Sequence, residues 1–243
     1  MTSMKGGYTN YGQDIGILMM HTVFPRLIGD IGNARTFSVP VRYRIVDVDP
    51  LNMTEKNVDE RLLQPFIRAA QQLEAEGCKA ITTSCGFLSG FQKQLADAVN
   101  IPVFTSTLLL VPMIRTMLNK NRSIGILTEC ADMMTEVLFN QAGWSSKDIP
   151  VHVSGQAPDS AFSELIIGDN LEGNLEQMSA CIREMTQLHM EQYPDTGALL
   201  LECTNYAPFT KMIQDIAQVP VFSINQLVEY IDSCVNAPNY HTM

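Results

Sequence analysis

Short apolar runs rich in β-branched residues alternate along the chain with longer segments of helical periodicity. The apolar runs predict eight strands, at residues 14–20, 41–48, 79–84, 102–105, 122–128, 150–153, 198–202 and 220–223. The periodic segments predict seven helices, at 58–76, 90–99, 108–119, 132–142, 171–192, 209–217 and 226–235. A strand followed by a helix, repeated in this way, predicts an α/β fold with parallel sheets.

An internal repeat emerges when the chain is compared with itself at an offset of 118 residues. Ala-Ile-Thr-Thr-Ser-Cys at 80–85 is followed by Pro-Val-Phe 17 positions after its cysteine, and Ala-Leu-Leu-Leu-Glu-Cys at 198–203 is followed by Pro-Val-Phe at the same spacing. A duplicated strand–loop–helix–strand unit explains this match. We therefore expect two similar parallel-sheet α/β halves related by a pseudo-twofold axis, with the active site in the cleft between them.

The division between the halves is predicted at the polar stretch 119–122, which separates a helix from a strand. The final helix can return to the first half and make that domain discontinuous. The first α/β domain is thus predicted to span 1–119 plus about 221–243, and the second 120–220.

Composition and charge narrow the function classes. Of the 243 residues, 46% are hydrophobic and 17% charged, which argues against long disorder. The net charge of −10, with no basic run, argues against nucleic-acid binding, which needs clustered lysine and arginine. The N-terminus lacks the apolar segment of a secretory signal, and no apolar run reaches the roughly 18 residues of a membrane span. We expect a cytoplasmic protein with no membrane or nucleic-acid partner.

Six cysteines, at positions 78, 85, 130, 181, 203 and 234, form no CxxC pair and no cluster with histidine. This spacing argues against zinc, and a reducing cytoplasm argues against a disulfide framework. The thiols are therefore either core residues or reactive groups.

Cys85 and Cys203 stand out by their position. Each follows an apolar strand and precedes a helix, which places it at the carboxyl edge of a parallel sheet, where ligands bind. A helix N-terminus favours the thiolate and can hold a carboxylate through backbone N–H groups. If the halves face each other, one thiolate can remove an α-proton while the opposite thiol delivers another, with no cofactor and no metal.

These two segments resemble a known family. Thr82-Thr83-Ser84-Cys85-Gly86 and Glu202-Cys203-Thr204-Asn205 are similar to the two cysteine motifs of the aspartate/glutamate/hydantoin racemase superfamily, whose members work without pyridoxal phosphate. The resemblance implies that Cys85 and Cys203 are catalytic and that the protein is a homodimer. It also implies that the substrate carboxylate is held by Ser84, Gly86, Thr128, Thr204 and Asn205.

The resemblance predicts an amino-acid racemase acting on an aspartate-like or glutamate-like small carboxylate. Asn205 stands where glutamate racemases usually carry a histidine, and His21 and Arg26 follow the first strand without an assigned role. Three alternatives stay open: a maleate-type cis-trans isomerase, an arylmalonate-type decarboxylase, and a non-catalytic ligand-binding or redox-sensing protein. The substrate side chain and the identity of the stronger base are left open too.

Overall fold

Two four-stranded parallel sheets form the frame of the protein, whose computed structural model describes residues 4–48 and 60–240. The first sheet has the order β2-β1-β3-β4 and the second the order β6-β5-β7-β8. The strands are β1 (Ile15–Met20), β2 (Val41–Val46), β3 (Ala80–Thr83), β4 (Val103–Phe104), β5 (Ser123–Leu127), β6 (Val151–Ser154), β7 (Thr196–Leu201) and β8 (Val221–Phe222). All eight predicted strands are present, and the predicted α/β class with two similar halves is confirmed.

Helices cover the sheets. They are α1 (Glu60–Ala75), α2 (Gln92–Asp97), α3 (Val111–Met117), α4 (Glu136–Gln141), α5 (Ala161–Ile166), α6 (Leu175–Gln192), α7 (Thr210–Ala217) and α8 (Ile224–Val235). The first helix was predicted to span 58–76, and residues 58 and 59 of that prediction lie outside the described residues. The pattern did not reveal α5, because six residues are too few to establish a helical period.

The internal repeat of the sequence is also a repeat of structure. The 3₁₀ helix Gly86–Phe91 follows β3, and the 3₁₀ helix Thr204–Phe209 follows β7, at the offset of 118 residues found in the sequence. The α-helices that continue them, α2 and α7, begin at the same offset. The loop after each cysteine is thus built in the same way in both halves.

Each half contributes its last helix to the other sheet. Ile224 and Val228 of α8 share a buried cluster with Ile15 and Ile17 of β1. In the other direction, α3 packs through Val111 and Ile114 into the cluster that contains Ile124 and Ile126 of β5. This exchange brings the carboxyl edges of the two sheets towards each other. The domain boundaries near residues 119 and 221 stay predictions.

No helix within residues 4–48 and 60–240 combines the length and the apolar character needed to cross a membrane.

Candidate active site

A cavity of about 100 Å³ lies where the carboxyl ends of both sheets meet. Its walls come from the loops that follow β1, β3, β5 and β7 and from the end of α5. This is the position at which open parallel sheets bind ligands. The cavity is lined by Met20, Thr22, Phe24, Arg26, Ser84, Cys85, Gly86, Phe87, Glu129, Ile166, Ile167, Glu202, Cys203, Thr204 and Asn205.

Most of the residues predicted for the site meet at this cavity. Both cysteines reach it although they are far apart in the chain, and four of the predicted binding residues join them, namely Ser84, Gly86, Thr204 and Asn205. Thr128 is fully buried outside the lining and donates a hydrogen bond from Oγ1 to Glu202 Oε2 at 2.7 Å. Thr128 therefore reaches the cavity only through Glu202.

Cys85 is half-buried at the start of the 3₁₀ helix that follows β3. Burial, and to a smaller extent the charge of Glu202, raise the pKa of its thiol to about 12. The backbone amides of Phe87 and Leu88 lower the pKa, but by less than burial raises it. The expectation that a helix N-terminus favours the thiolate is therefore corrected, because burial outweighs the amides at Cys85.

Cys203 occupies the matching position after β7 and is buried. Its pKa is raised well above the ordinary thiol value by burial first and then by Glu202, with a smaller contribution from Cys85. Its thiol donates a hydrogen bond to Asn205 Oδ1 at 3.6 Å. Since an amide oxygen only accepts, this contact holds Cys203 in the protonated form.

The hydroxyl groups of Thr204 and Ser84, in the two cysteine loops, form hydrogen bonds to backbone atoms of the protein. Thr204 donates from Oγ1 to the carbonyl oxygen of Ser84 at 2.7 Å, which ties the second cysteine loop to the first. Ser84 Oγ accepts a hydrogen bond from the backbone N–H of Met20 at 3.0 Å, so its own proton is still available to donate.

Glu202 lies directly against the first cysteine loop. A Cβ atom at position 86 would collide with Glu202 Oε1 and come within 2.5 Å of its carbonyl oxygen, so the site requires a glycine there. The pKa of Glu202 is raised to about 7, chiefly by burial and to a smaller extent by the charge of Glu129, against the hydrogen bond from Thr128, which lowers it. Gly86 thus makes room for a buried acid at the cavity.

Solved structures share this architecture at low sequence identity. A glutamate racemase isoform from Bacillus anthracis superposes with a TM-score of 0.58 at 15% identity, over 92% of this chain and 83% of its own. Unliganded arylmalonate decarboxylase superposes with a TM-score of 0.57 at 13% identity, over 93% of this chain and 94% of its own. The chain has the aspartate/glutamate racemase fold. No family model matches the sequence.

The proteins that are similar to this chain in sequence are named dimethylsulfoniopropionate lyases, not racemases. Dimethylsulfoniopropionate lyase 7 from Emiliania huxleyi (strain CCMP1516) is 24% identical over 235 residues, which cover 93% of this chain and 68% of that protein. A dimethylsulfoniopropionate lyase from Durusdinium sp. clade D is 25% identical over 213 residues, which cover 86% of this chain and 70% of that protein. The similar proteins are thus named as enzymes of more than one reaction class.

Asn205, which replaces the histidine usual in glutamate racemases, belongs to a charged network at the rim of the cavity. Its Nδ2 donates to Asp30 Oδ2 at 2.7 Å, and Asp30 Oδ1 accepts from Arg26 Nη1 at 2.7 Å. Arg26 also donates to Thr22 Oγ1 at 2.6 Å and lies 4.3 Å from the centre of the Phe24 ring. Asp30 thereby turns the amide oxygen of Asn205 towards Cys203.

Several residues that line the cavity or contact its lining were not predicted from the sequence. Ile166 and Ile167 come from the end of α5, and Asp30 acts through contacts that no local pattern reveals. Glu202 had a signal, because an acidic residue ends an otherwise apolar strand pattern directly before Cys203. Glu129 follows β5 at the equivalent edge, and its Oε1 accepts a hydrogen bond from Ser163 Oγ at 2.8 Å.

His21 lies outside this arrangement. His21 is exposed and does not line the cavity, so its position assigns it no role there. Among residues 4–48 and 60–240, no group of three or more histidine, cysteine or acidic side chains is placed to hold a metal ion.

Proposed function

We propose that the protein is a cofactor-independent lyase that removes a proton next to a carboxylate and expels a leaving group from the adjoining carbon. The observation that carries the proposal is the presence of Cys85 and Cys203 in one small, largely apolar cavity. The substrate class comes from similar proteins named dimethylsulfoniopropionate lyases, which cover most of this chain. A propionate bearing a dimethylsulfonio group is small enough for such a cavity.

The reaction requires one base. A thiolate forms an S–H bond with the proton on the carbon next to the carboxylate, and the C–H electron pair becomes the new carbon–carbon double bond. The bond to the sulfonium sulfur breaks, and its electron pair leaves with dimethyl sulfide. Acrylate remains, and the thiol returns its proton to water to regenerate the thiolate.

The surroundings of the two thiols support different roles. Two backbone amides, those of Phe87 and Leu88, lower the pKa of Cys85, whereas one, that of Asn205, lowers the pKa of the more buried Cys203, so Cys85 is better suited to be the base. The thiol of Cys203 donates to Asn205, which suits a group that stays protonated and stabilises the charge developing on the substrate carboxylate. Ser84, Gly86, Thr204 and Asn205 surround the same space and are the proposed carboxylate-binding groups.

Amino-acid racemisation is the second candidate. Two thiols at matched positions are more than a one-base elimination needs, and they suit removal of a proton from one face and its return to the other. The fold is also that of aspartate and glutamate racemases. In that reaction both cysteines exchange protons with the α-carbon of an aspartate-like or glutamate-like substrate.

The test supplies the full-length protein separately with dimethylsulfoniopropionate and with each enantiomer of aspartate and glutamate in D₂O. Gas chromatography measures dimethyl sulfide, and proton NMR measures acrylate and exchange at the α-carbon. Cys85→Ala and Cys203→Ala are each expected to lower the elimination rate by about 100-fold or more. Cys234→Ala is the matched control, because that thiol is exposed and is not part of the cavity lining.

Release of dimethyl sulfide that depends on both cysteines supports the lyase. Exchange and inversion of an amino acid without any dimethyl sulfide would instead favour the racemase. Wild-type elimination rates in both cavity variants would overturn the assignment of the thiols.

A further inference from the structure

We infer that Glu202 is the residue that recognises a positively charged substituent on the substrate, such as the sulfonium group of an onium propionate. The inference rests on the proposed lyase reaction and names the group that selects its substrate. Glu202 lines the cavity directly beside Cys203 and against the loop of Cys85. A cation held there sits next to both thiols.

The two carboxylate oxygens of Glu202 have different surroundings. Oε2 accepts the hydrogen bond from Thr128, whereas Oε1 is buried and has no hydrogen-bond partner among the described residues. The residue as a whole is only 2% exposed. A buried oxygen without a partner is costly for a folded protein, and such atoms are uncommon. A cation in the cavity beside Glu202 would offset part of this cost through its charge.

The carboxylate is also fixed in position. Thr128 is held in a fully buried strand end, where its carbonyl oxygen accepts a hydrogen bond from Tyr206 Oη at 2.8 Å. On the opposite side, Oε1 lies against Gly86, where a Cβ atom would collide with it. The carboxylate of Glu202 is therefore fixed at the cavity wall and need not reorganise, as a preorganised binding group should.

The charges facing Glu202 favour a cation. The ionisable groups near its carboxylate are Glu129, Cys85, Cys203 and Tyr206, all of which are neutral or negative. Arg26 is the cationic residue of the lining, and Asp30 already binds it at 2.7 Å. A second carboxylate on a substrate would be repelled by Glu129 and Glu202, whereas an onium group would be attracted to both.

The same charge would prepare the site for catalysis. Burial raises the pKa of Glu202, Cys85 and Cys203, and a cation among them lowers all three. Thiolate formation then becomes favourable when the charged substrate is bound. A neutral analogue of the same shape would leave both thiols protonated.

The test compares two non-reacting ligands of equal shape by isothermal titration calorimetry on the full-length protein. The first, 3-(trimethylammonio)propanoate, carries a quaternary nitrogen, and the second, 4,4-dimethylpentanoate, has a carbon in its place. At pH 8 the wild-type protein is expected to bind the charged ligand at least about tenfold more tightly. Glu202→Gln should bring the two dissociation constants within about threefold of each other.

Two variants control for indirect effects. Glu191→Gln removes the same charge from an exposed position outside the cavity and should keep the wild-type ratio. Thr128→Val keeps Glu202 but removes its hydrogen bond, so the pH at which the charged ligand becomes preferred should move upward. A wild-type ratio in Glu202→Gln, or an unchanged midpoint in Thr128→Val, overturns the inference.

The inference and the proposed function fail in different ways. If dimethyl sulfide is produced but Glu202→Gln still prefers the charged ligand, the inference is wrong and the lyase stands. If the preference disappears in Glu202→Gln but no sulfonium substrate is cleaved, Glu202 recognises the cation and the lyase is wrong.

Discussion

The buried carboxylate of Asp30, at the rim of the cavity, accepts three hydrogen bonds. Its Oδ1 accepts from Arg26 and from the backbone N–H of Gly32, each at 2.7 Å, and its Oδ2 accepts from Asn205. Removing one partner of a buried ion pair leaves the other charge uncompensated, which costs more than the pair itself contributes. Both the free energy of unfolding and the position of Asn205 therefore depend on the carboxylate of Asp30.

We predict that Asp30→Asn lowers the free energy of unfolding by about 3 kcal/mol, measured by urea denaturation. The amide keeps the size of the side chain but removes its charge and points an NH₂ group at one of the donors. Asp215→Asn serves as the control, because Asp215 pairs with Lys211 on the exposed surface and should contribute less than about 1 kcal/mol. Equal effects of the two substitutions would contradict this account.

Glu202 gives the protein a stability that depends on pH. Its pKa is about 7 in the folded protein and about 4.5 as a free side chain. Below pH 4.5 the group is protonated in both the folded and the unfolded states and has no effect. Between pH 4.5 and 7 the unfolded side chain ionises while the folded one keeps its proton, so the folded state loses about 3 kcal/mol relative to the unfolded state, and above pH 7 this loss stays constant.

Glu202→Gln should therefore match the wild-type protein in stability below pH 4.5, exceed it by a margin that grows up to about pH 7, and keep that margin at pH 8. Urea denaturation at intervals of one pH unit measures this margin. Glu191→Gln, at an exposed site, should show no such trend. A margin that is constant with pH would show that Glu202 does not titrate in the folded protein.

At the scale of elements, the loop between β3 and α2 requires glycine, a residue without a side chain, at position 86. Gly86 begins the 3₁₀ helix behind Cys85, and Glu202 from the other half fills the space beside its Cα atom. An added methyl group meets a backbone oxygen as well as the carboxylate, and a backbone cannot move aside as a flexible side chain can.

Gly86→Ala is expected to lower the free energy of unfolding by about 2 to 3 kcal/mol and to reduce elimination by displacing Glu202 and Cys85 together. Thermal unfolding and the assay for dimethyl sulfide measure the two effects. Gly7→Ala is the matched control, since a Cβ atom there would have nothing within 4 Å. Wild-type activity in Gly86→Ala would mean that the contact with Glu202 is not needed.

Whole-molecule cooperativity follows from the exchange of α3 and α8 between the two halves. The protein has one tryptophan, Trp144, which is buried in the second half and donates from Nε1 to the carbonyl oxygen of Leu108 at 3.0 Å. Leu108 belongs to the segment that leads into α3, so this contact connects the two halves. Neither half keeps its full set of buried contacts without the other.

We therefore predict a single unfolding transition in urea, with the same midpoint by tryptophan fluorescence and by far-ultraviolet circular dichroism. Fluorescence reports the surroundings of Trp144, and circular dichroism reports all helices and sheets. Agreement of the two midpoints is the usual test of two-state unfolding. Two separated transitions would mean that the halves unfold independently.

The sequence by itself determined the order of the elements and the duplication. A buried parallel strand needs a continuous apolar run, so the eight strands could be predicted, and the shared offset of 118 residues predicted two halves with matched cysteines. It also placed Cys85 and Cys203 at strand ends, where the two sheets later bring them into one cavity.

Only the tertiary structure decided the chemical state of those groups. The sequence predicted thiolates at helix N-termini, but desolvation and the charge of Glu202 raise both pKa values, and these depend on neighbours from the other half. Thr128 was predicted to bind the substrate, yet its hydroxyl group supports Glu202. Burial and through-space charge depend on three-dimensional distances between segments, which local spacing along a chain does not specify.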